Sequence, residues 1–350
     1  MVCVFDFHPV SALAPSWKNY RNLSLKPSRV HLLAKMKPFS LELPNEATLT
    51  GLSNIPDPSP TKPKHRPLIV GLHGGSYSSA YFHVDDHHTA ALASNALDVP
   101  WVAVDRPGYK GSTGATIPDG SSFPETMGEL FHKFILPTLW KTFGEPNGCN
   151  SIVLHGHSLG SPISIIAAAL SAQDADAAYP LSGVTFSGFG IRLIPGAGPP
   201  VEGELPEFFE FDPAVKDGIM IPEGTCDASV YQHAERLNNR FLLREVADIH
   251  AAWLPRPEAW IPRVKVPILF ALAERDCYWQ PDDAHVKALI NSFSSSPRVE
   301  GGVVQGAPHN LEMSYWAPGW YSRVFGFGLE CAAGFAAVAA AEKKGADEAT

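Results

Sequence analysis

Short apolar runs recur along the chain between polar or glycine-rich segments, and six of them have the length of a β-strand. These runs lie at 67–72, 101–104, 151–154, 183–186, 266–271 and 298–305. Consecutive side chains of a strand point to opposite faces of a sheet, so an unbroken apolar run predicts a strand that is buried on both faces. The segment 39–52 alternates loosely between apolar and polar residues and predicts one or two earlier strands.

Segments with a helical pattern separate several of these runs. They lie at 87–95, 125–142, 162–172 and 282–293, and the late apolar stretch 324–341 predicts a packed helix. Strands that alternate with helices are typical of a mainly parallel sheet with helices on both faces. The pattern therefore predicts an α/β fold.

One long interval interrupts this alternation. Roughly eighty residues separate the strand that ends near Ser187 from the one that begins at Val266, and they are rich in proline, glycine and aromatic residues. The second half of the interval, 231–253, has a helical pattern. A connection of this length inside a domain is usually functional, so we expect a lid or cap over a binding site.

The composition is that of a globular protein. Of 350 residues, 45% are apolar and 18% are charged, and this length suits one large α/β domain with an inserted segment or two ordinary domains. The formal net charge of −9 favours neither nucleic acid nor anionic lipid as a partner. The stretch 324–341 is broken by three glycines and Glu330, so we expect no stable membrane insertion. No pattern indicates an oligomeric state.

The cysteines and the N-terminal region bear on the compartment. The five cysteines are scattered and odd in number, which argues against a disulfide framework and a zinc site and favours a reducing compartment. Residues 1–38 are basic and poor in acidic residues; we interpret them as a disordered extension of a cytoplasmic protein, with an organellar targeting segment as the alternative. The histidines and aspartates at 83–88 have no matching ligand cluster elsewhere, so we expect no metal there.

The sharpest chemical signal is the sequence GHSLG at 156–160, which follows the strand at 151–154 and precedes the helix at 162–172. This is the context of a nucleophile elbow, a turn so tight that the residues two before and two after the serine must be small. Glycine occupies both positions. The pattern predicts Ser158 as a nucleophile and the backbone N–H of Leu159 as a donor to an oxyanion.

A glycine-rich turn with the sequence HGGS at 73–76 follows the early strand at 67–72. Acyl transfer passes through a tetrahedral oxyanion, which two backbone N–H donors can stabilise. Gly75 is the candidate for the second donor, because the turn lies upstream of the elbow as in a hydrolase. A plain strand-terminating turn is the alternative.

A serine nucleophile needs a base, because its hydroxyl is a poor nucleophile at neutral pH. His309 directly follows the strand at 298–305 and is the candidate base. His250 and His285 lie in helix-like segments, where we expect surface positions.

The base in turn needs an acid that orients it. Asp276 follows the strand at 266–271 and is the candidate acid, with helix capping as its alternative role. Glu274 and Asp282 are weaker candidates.

Taken together, these segments resemble the α/β-hydrolase superfamily in its serine esterase-like form. The resemblance rests on LHGG at 72–75, DRPGY at 105–109, the Ser158 elbow, ERD at 274–276 and PH at 308–309. It covers roughly residues 40–342, and it implies an eight-stranded, mostly parallel sheet flanked by helices, with a cap inserted after the sixth strand. It also implies an architectural role for Asp105 and Arg106 at the mouth of the active site.

These considerations divide the chain into four parts. We expect an N-terminal extension at 1–38, a core at 39–188 and 263–342, a cap at 189–262 and a polar tail at 343–350.

The expected reaction is hydrolysis of a carboxylic ester or lactone of an apolar or aromatic small molecule, without a cofactor. The candidate substrate contacts are Ser76, Tyr77, His157, Tyr278 and Trp279. The aromatic residues of the long interval fit an apolar substrate and a hydrophobic core of the cap equally well. A thioester would need the same parts, and carbon–carbon bond hydrolysis or a lyase reaction on the same triad is the chemical alternative. A small-molecule receptor with vestigial catalysis is the alternative from another class.

Overall fold

A computed structural model of the chain describes residues 36–57, 62–197 and 206–349. The expected N-terminal extension lies outside the described residues except for its last three. The main sheet has eight strands, and six of them run parallel to their neighbours. The strands are β1 (Lys37–Glu42), β2 (Thr48–Asn54), β3 (Pro67–Leu72), β4 (Trp101–Val104), β5 (Ser151–His157), β6 (Leu181–Ser187), β9 (Ile268–Arg275) and β10 (Val299–Pro308), in the spatial order β1-β2-β4-β3-β5-β6-β9-β10.

The sheet forms as the apolar runs predict. Every residue of β3, β4, β5 and β6 is buried, because helices cover both faces of the sheet at its centre. The strands β1 and β2 make the antiparallel pairs at one edge, where the alternating segment was expected to lie. The fold is therefore α/β, with a mostly parallel eight-stranded sheet.

The helices occupy the predicted intervals with small shifts at their ends. The α-helices of the described residues are α1 (Ala91–Leu97), α2 (Phe123–Leu130), α3 (Leu136–Leu139), α4 (Gly160–Ser171), α5 (Pro213–Met220), α6 (Ala228–Tyr231), α7 (Ala234–Leu237), α8 (Arg244–Asp248), α9 (Asp283–Ser292) and α10 (Ala317–Ala349). A stretch of π-helical backbone, Phe131–Ile135, joins α2 to α3 in one helical run.

The last helix is longer than the sequence indicates. α10 continues through residues 343–349, which we expected as a polar tail. Over Ala317–Gly345 it is long and apolar enough to cross a membrane by length and composition, and 33% of its most apolar window is buried. Trp320 and Phe325 are buried, so the first half packs as a core helix does.

The segment between β6 and β9 contains the elements α5 to α8 and two strands that the sequence did not reveal. These strands, β7 (Phe208–Phe209) and β8 (Phe241–Leu242), have two residues each and pair antiparallel. Strands of two residues have no detectable alternation, which explains why the pattern missed them. We refer to the described residues of this segment, 189–197 and 206–262, as the cap.

Close packing between α2 and α4 generates the first prediction. A Cβ on Gly128 would lie 2.4 Å from Cγ2 of Ile166. We expect Gly128→Ala to lower the free energy of unfolding by about 1–3 kcal/mol through overpacking, although alanine is usually the better helix former. Denaturant unfolding at equilibrium measures the change.

The matched control is Gly334→Ala on α10, because no atom outside the local helix backbone lies within 4 Å of a Cβ built there. We expect this variant to be as stable as the wild type or more stable by up to about 1 kcal/mol. Equal stability of Gly128→Ala and the control would contradict the close contact.

Candidate active site

Ser158 lies in the turn between β5 and α4, and this turn requires glycine on both sides of it. The φ angle of Ser158 is 49°, in the left-handed region that non-glycine residues rarely adopt. A Cβ on Gly160 would lie 2.2 Å from the carbonyl oxygen of Leu72, and a Cβ on Gly156 would lie 2.6 Å from Cα of Ser161. No larger residue fits at either position, which is the physical reason for the pattern that marked the turn.

His309 and Asp276 lie next to Ser158, at the carboxyl ends of the neighbouring strands β10 and β9. His309 Nε2 lies 3.2 Å from Oγ of Ser158. His309 Nδ1 lies 3.0 Å from Oδ2 and 3.1 Å from Oδ1 of Asp276. This geometry fits an Nδ1–H that donates to the carboxylate and an Nε2 that accepts from the serine hydroxyl. The structure thus brings together the three residues that the sequence singled out as nucleophile, base and acid.

The carboxylate of Asp276 is buried and well supplied with donors. Its Oδ1 accepts hydrogen bonds from the backbone N–H groups of Tyr278, at 2.8 Å, and Trp279, at 3.1 Å. Burial alone would raise the pKa of Asp276, but the charge of His309 and these hydrogen bonds hold the pKa below its usual range. The group is therefore ionised at neutral pH and can keep the imidazole in one orientation.

The weaker candidates for the acid and the base have other roles in the structure. Glu274 accepts a hydrogen bond from a backbone N–H of β10 at 2.6 Å, and Asp282 caps α9 by accepting from the N–H of His285 at 2.7 Å. The expectation of a surface position for His285 is wrong: it is fully buried, and its Nε2 accepts from the backbone N–H of Ile191 at 2.9 Å. His250 is half-buried and lines the cavity over Ser158.

Gly75 and Leu159 lie side by side at Ser158. A Cβ on Gly75 would lie 2.9 Å from Cδ1 of Leu159, and a Cβ on Gly74 would lie 2.9 Å from Cβ of Ser158. Within the described chain, neither the N–H of Gly75 nor that of Leu159 donates a hydrogen bond. Both N–H groups lie beside the serine hydroxyl and have no acceptor within the protein. They can therefore donate to an oxyanion that forms there and stabilise it.

An apolar cavity of about 390 Å³ lies over Ser158. Much of its wall comes from the cap and the strand ends, including Phe189, Leu193, Phe209, Met220, Phe241 and Ile249. Four of the expected substrate contacts, Tyr77, His157, Tyr278 and Trp279, lie on this wall. The expectation for Ser76 is wrong, because its side chain is fully buried inside the turn and does not line the cavity.

A buried carboxylate beneath the site, Glu312, was not apparent from the sequence. It accepts hydrogen bonds from four side chains: Tyr81, His155, Ser187 and Trp320. Burial alone would raise the pKa of Glu312, but its histidine neighbours and these hydrogen bonds hold the pKa far below the usual range. Glu312 is thus an anion that the surrounding donors solvate in place of water.

His157 connects this carboxylate to the cavity. Its ring stacks on Tyr81 at 4.4 Å between centroids and lies 5.1 Å from the ring of His309. Burial lowers the pKa of His157 to about 3. It is therefore uncharged at neutral pH and places no positive charge beside His309.

One group of side chains among the described residues has the spacing of metal ligands, namely Asp276, Cys277 and His309. Asp276 and His309 are already hydrogen-bonded to each other. Burial, together with the charge of Asp276, raises the pKa of the Cys277 thiol, so the thiolate that a metal would bind is not formed at neutral pH. The donor set fits an acid–base pair better than a metal site.

Comparison with known proteins agrees with this fold. The model of the alpha/beta hydrolase family matches residues 69–323 of the chain. No curated protein sequence matches it.

Many solved structures are similar. A soluble variant of monoglyceride lipase from Saccharomyces cerevisiae is 15% identical, with a TM-score of 0.57, covering 85% of this chain and 95% of that one. A monoacylglycerol lipase from Paleococcus ferrophilus is 16% identical, with a TM-score of 0.52, covering 85% of this chain and 99% of that one. At these identities the likeness shows the fold alone.

The donors around Glu312 generate the second prediction. Glu312→Gln replaces a carboxylate that accepts from four side chains by an amide with a single acceptor oxygen, so buried donors lose their partner. We expect the free energy of unfolding at pH 7 to fall by at least about 2 kcal/mol. Denaturant unfolding measures it, with the exposed Glu129→Gln, which breaks a surface ion pair with Lys133, as a control that changes it by less than about 0.5 kcal/mol.

The difference between wild type and Glu312→Gln also depends on pH. The folded-state pKa of Glu312 is depressed, so its stabilising contribution is fully present above the unfolded value of about 4.3 and is lost progressively as the pH falls below it. A difference that stays constant from pH 7 to pH 3 would show that Glu312 is not ionised in the folded protein.

Proposed function

Because the chain belongs to the alpha/beta hydrolase family, we propose that it is a serine hydrolase that cleaves a carboxylic ester or lactone of an apolar small molecule through an acyl-serine intermediate. The observation that carries the proposal is the unbroken hydrogen-bonded chain from Ser158 through His309 to Asp276. The other elements of the site are consistent with this chemistry.

The proposed reaction proceeds in two halves. Ser158 Oγ attacks the carbonyl carbon while His309 Nε2 takes its proton, and Asp276 stabilises the resulting imidazolium. The backbone N–H groups of Gly75 and Leu159 donate to the oxyanion of the tetrahedral intermediate. As the intermediate collapses, the alcohol leaves with the proton from His309. Water then attacks the acyl-serine with the same histidine as base, and the carboxylic acid is released.

The cavity supports the choice of an apolar substrate. Its wall is mainly aromatic and aliphatic, so desolvation of an alkyl or aryl group favours binding there. The histidines on its wall are His157, which is uncharged at neutral pH, His250 and His309. Burial lowers the pKa of His250 as well, so the wall presents little charge to oppose an apolar group.

We also propose a reducing compartment, with the cytoplasm as first choice. The four cysteines among the described residues are free thiols. Burial raises the pKa of Cys149 and Cys331 to about 12, so neither is a reactive thiolate. Unpaired, unreactive thiols support a compartment in which disulfides do not form.

The experiment that tests the proposal is hydrolysis of p-nitrophenyl acetate and p-nitrophenyl octanoate by the wild type and by Ser158→Ala. We expect the substitution to reduce kcat by several orders of magnitude, because removing the nucleophile leaves only the oxyanion donors and binding. Fluorophosphonate should label the wild type on Ser158 and should not label the variant.

Equal activity of the two proteins would refute Ser158 as the nucleophile. A folded wild type that is neither active on esters nor labelled would favour the receptor alternative. Product analysis with a diketone separates carbon–carbon bond hydrolysis from ester hydrolysis.

The cavity generates a prediction about chain length. Met220 lines the cavity from α5, so Met220→Trp reduces the space for an acyl chain. We expect this variant to lower kcat/KM for p-nitrophenyl octanoate about tenfold, a change typical of a crowded apolar pocket, and to leave that for the acetate within about twofold.

The matched control is Val215→Trp, because Val215 is on the same helix and 55% exposed. It should leave kcat/KM for both esters unchanged. An equal loss for the acetate and the octanoate in Met220→Trp would show that the acyl chain does not occupy this cavity.

A further inference from the structure

The turn that carries Gly75 is held from behind by a buried arginine. Arg106, just after β4, is fully buried; its Nε donates to the carbonyl oxygen of His73 at 2.8 Å, and its Nη2 donates to that of Gly74 at 3.1 Å. The carbonyl of Gly74 and the N–H of Gly75 belong to the same planar peptide unit. The guanidinium of Arg106 therefore sets the direction in which the Gly75 N–H points.

The counter-ion of Arg106 lies on the cap. Glu245, on α8, places Oε2 2.8 Å from Arg106 Nη2, and the two side chains are 2% and 0% exposed. The carboxylate also accepts from the hydroxyl of Tyr109 at 3.0 Å, and that hydroxyl accepts from Arg106 Nη2 at 3.2 Å. Glu245 is thus joined to the guanidinium behind the glycine-rich turn both directly and through Tyr109.

The position of Arg106 depends on Glu245. Within the described residues, Glu245 is the carboxylate that forms an ion pair with Arg106. Burying a cation without a counter-ion is far more costly than burying a pair. Displacement of α8 would therefore either leave the buried guanidinium without its counter-ion or draw it away from the Gly74 carbonyl.

The helix that carries Glu245 also contacts the cavity. Val246 in α8 lines the cavity, as do Ile249 and His250 in the turn that follows. An apolar group in the cavity packs against these side chains and stabilises α8 in its place over the core. The occupancy of the cavity and the geometry of the turn are thus coupled through one short helix.

We propose that Glu245 is a positioning residue that makes the alignment of the Gly75 N–H depend on a filled cap cavity. The inference rests on the proposed ester hydrolysis. A substrate with a large apolar group holds α8 in place and completes the oxyanion site, whereas a small ester does not. Binding energy from the remote part of the substrate then appears in kcat as well as in KM.

The test compares Glu245→Gln with Asp248→Asn. Asp248 lies on the same helix and also joins the cap to the core, through the backbone N–H of Phe123, but it does not touch the turn. For each variant, kcat and KM are measured with p-nitrophenyl acetate and octanoate, together with the rate of fluorophosphonate labelling of Ser158 and the Tm.

We expect Glu245→Gln to lower kcat on the octanoate by about ten- to a hundredfold, a part of the loss seen when an oxyanion donor is removed. Its KM should stay within about threefold of the wild type, labelling should slow, and the ratio of kcat for octanoate to kcat for acetate should fall towards one. Asp248→Asn should lower the Tm and keep kcat within about twofold.

Three results would overturn the proposal. They are a kcat of Glu245→Gln within twofold of the wild type, an effect confined to KM, and the same loss of kcat in Asp248→Asn, which would show general loosening of the cap. A wild type that hydrolyses no ester and is not labelled would overturn this proposal together with the proposed function. An active wild type with a normal Glu245→Gln would overturn this one alone.

A second variant covers the case in which Glu245→Gln does not fold. Tyr109→Phe removes the hydroxyl that hydrogen-bonds to both Glu245 and Arg106 but leaves the ion pair in place. We expect a severalfold lower kcat on the octanoate at unchanged KM. A kcat equal to that of the wild type would count against the coupling.

Discussion

The backbone turns sharply at the end of β5, and the turn brings α4 so close to β3 that a Cβ on Gly160 would overlap the carbonyl oxygen of Leu72 at 2.2 Å. This contact fixes the distance between the elbow and the strand that leads into the glycine-rich turn. The separation of Ser158 from Gly75 follows from it, and so does the start of α4. His309 and Asp276 can complete the site only because β10 and β9 end at the same edge of the sheet.

Two buried anions support this site from different sides. Glu312 lies below the strand ends and is solvated by side-chain donors, so it stiffens the sheet under the nucleophile. Glu245 lies above, on the cap, and neutralises Arg106 behind the glycine-rich turn. The first accepts hydrogen bonds from neutral side chains such as Tyr81 and Trp320, whereas the second has a full counter-ion. Removal of either carboxylate leaves polar groups unsatisfied, but of the two only Glu245 joins the core to the cap.

The strands were predictable wherever burial on both faces makes a run apolar. β3 and β4 have the bounds that their runs indicate, whereas β5 extends beyond its run because His155 and His157 are polar residues that Glu312 and Ser187 satisfy inside the core. The elbow was predictable from its glycine pattern, and Asp276 and His309 were predictable because each follows a predicted strand. The contacts of Glu245 with Arg106 and of Glu312 with His155 were not predictable, since these pairs are 139 and 157 residues apart in the sequence. The prediction that Ser76 contacts the substrate was wrong for a local reason. The φ angle of Ser76 is 59°, and this backbone conformation turns the residue into the core.

The site is assembled from parts that are distant along the chain, and this has a consequence for how it forms. The hydrogen bond between His309 and Ser158 spans 151 residues, and β10 is the last strand of the sheet in chain order. Contacts of such high sequence separation close large loops and form late in folding. During synthesis the nucleophile elbow can be complete while its base is still being translated. In a nascent chain Ser158 would therefore be unreactive. Its reactivity as a nucleophile would appear only once β10 has joined the sheet.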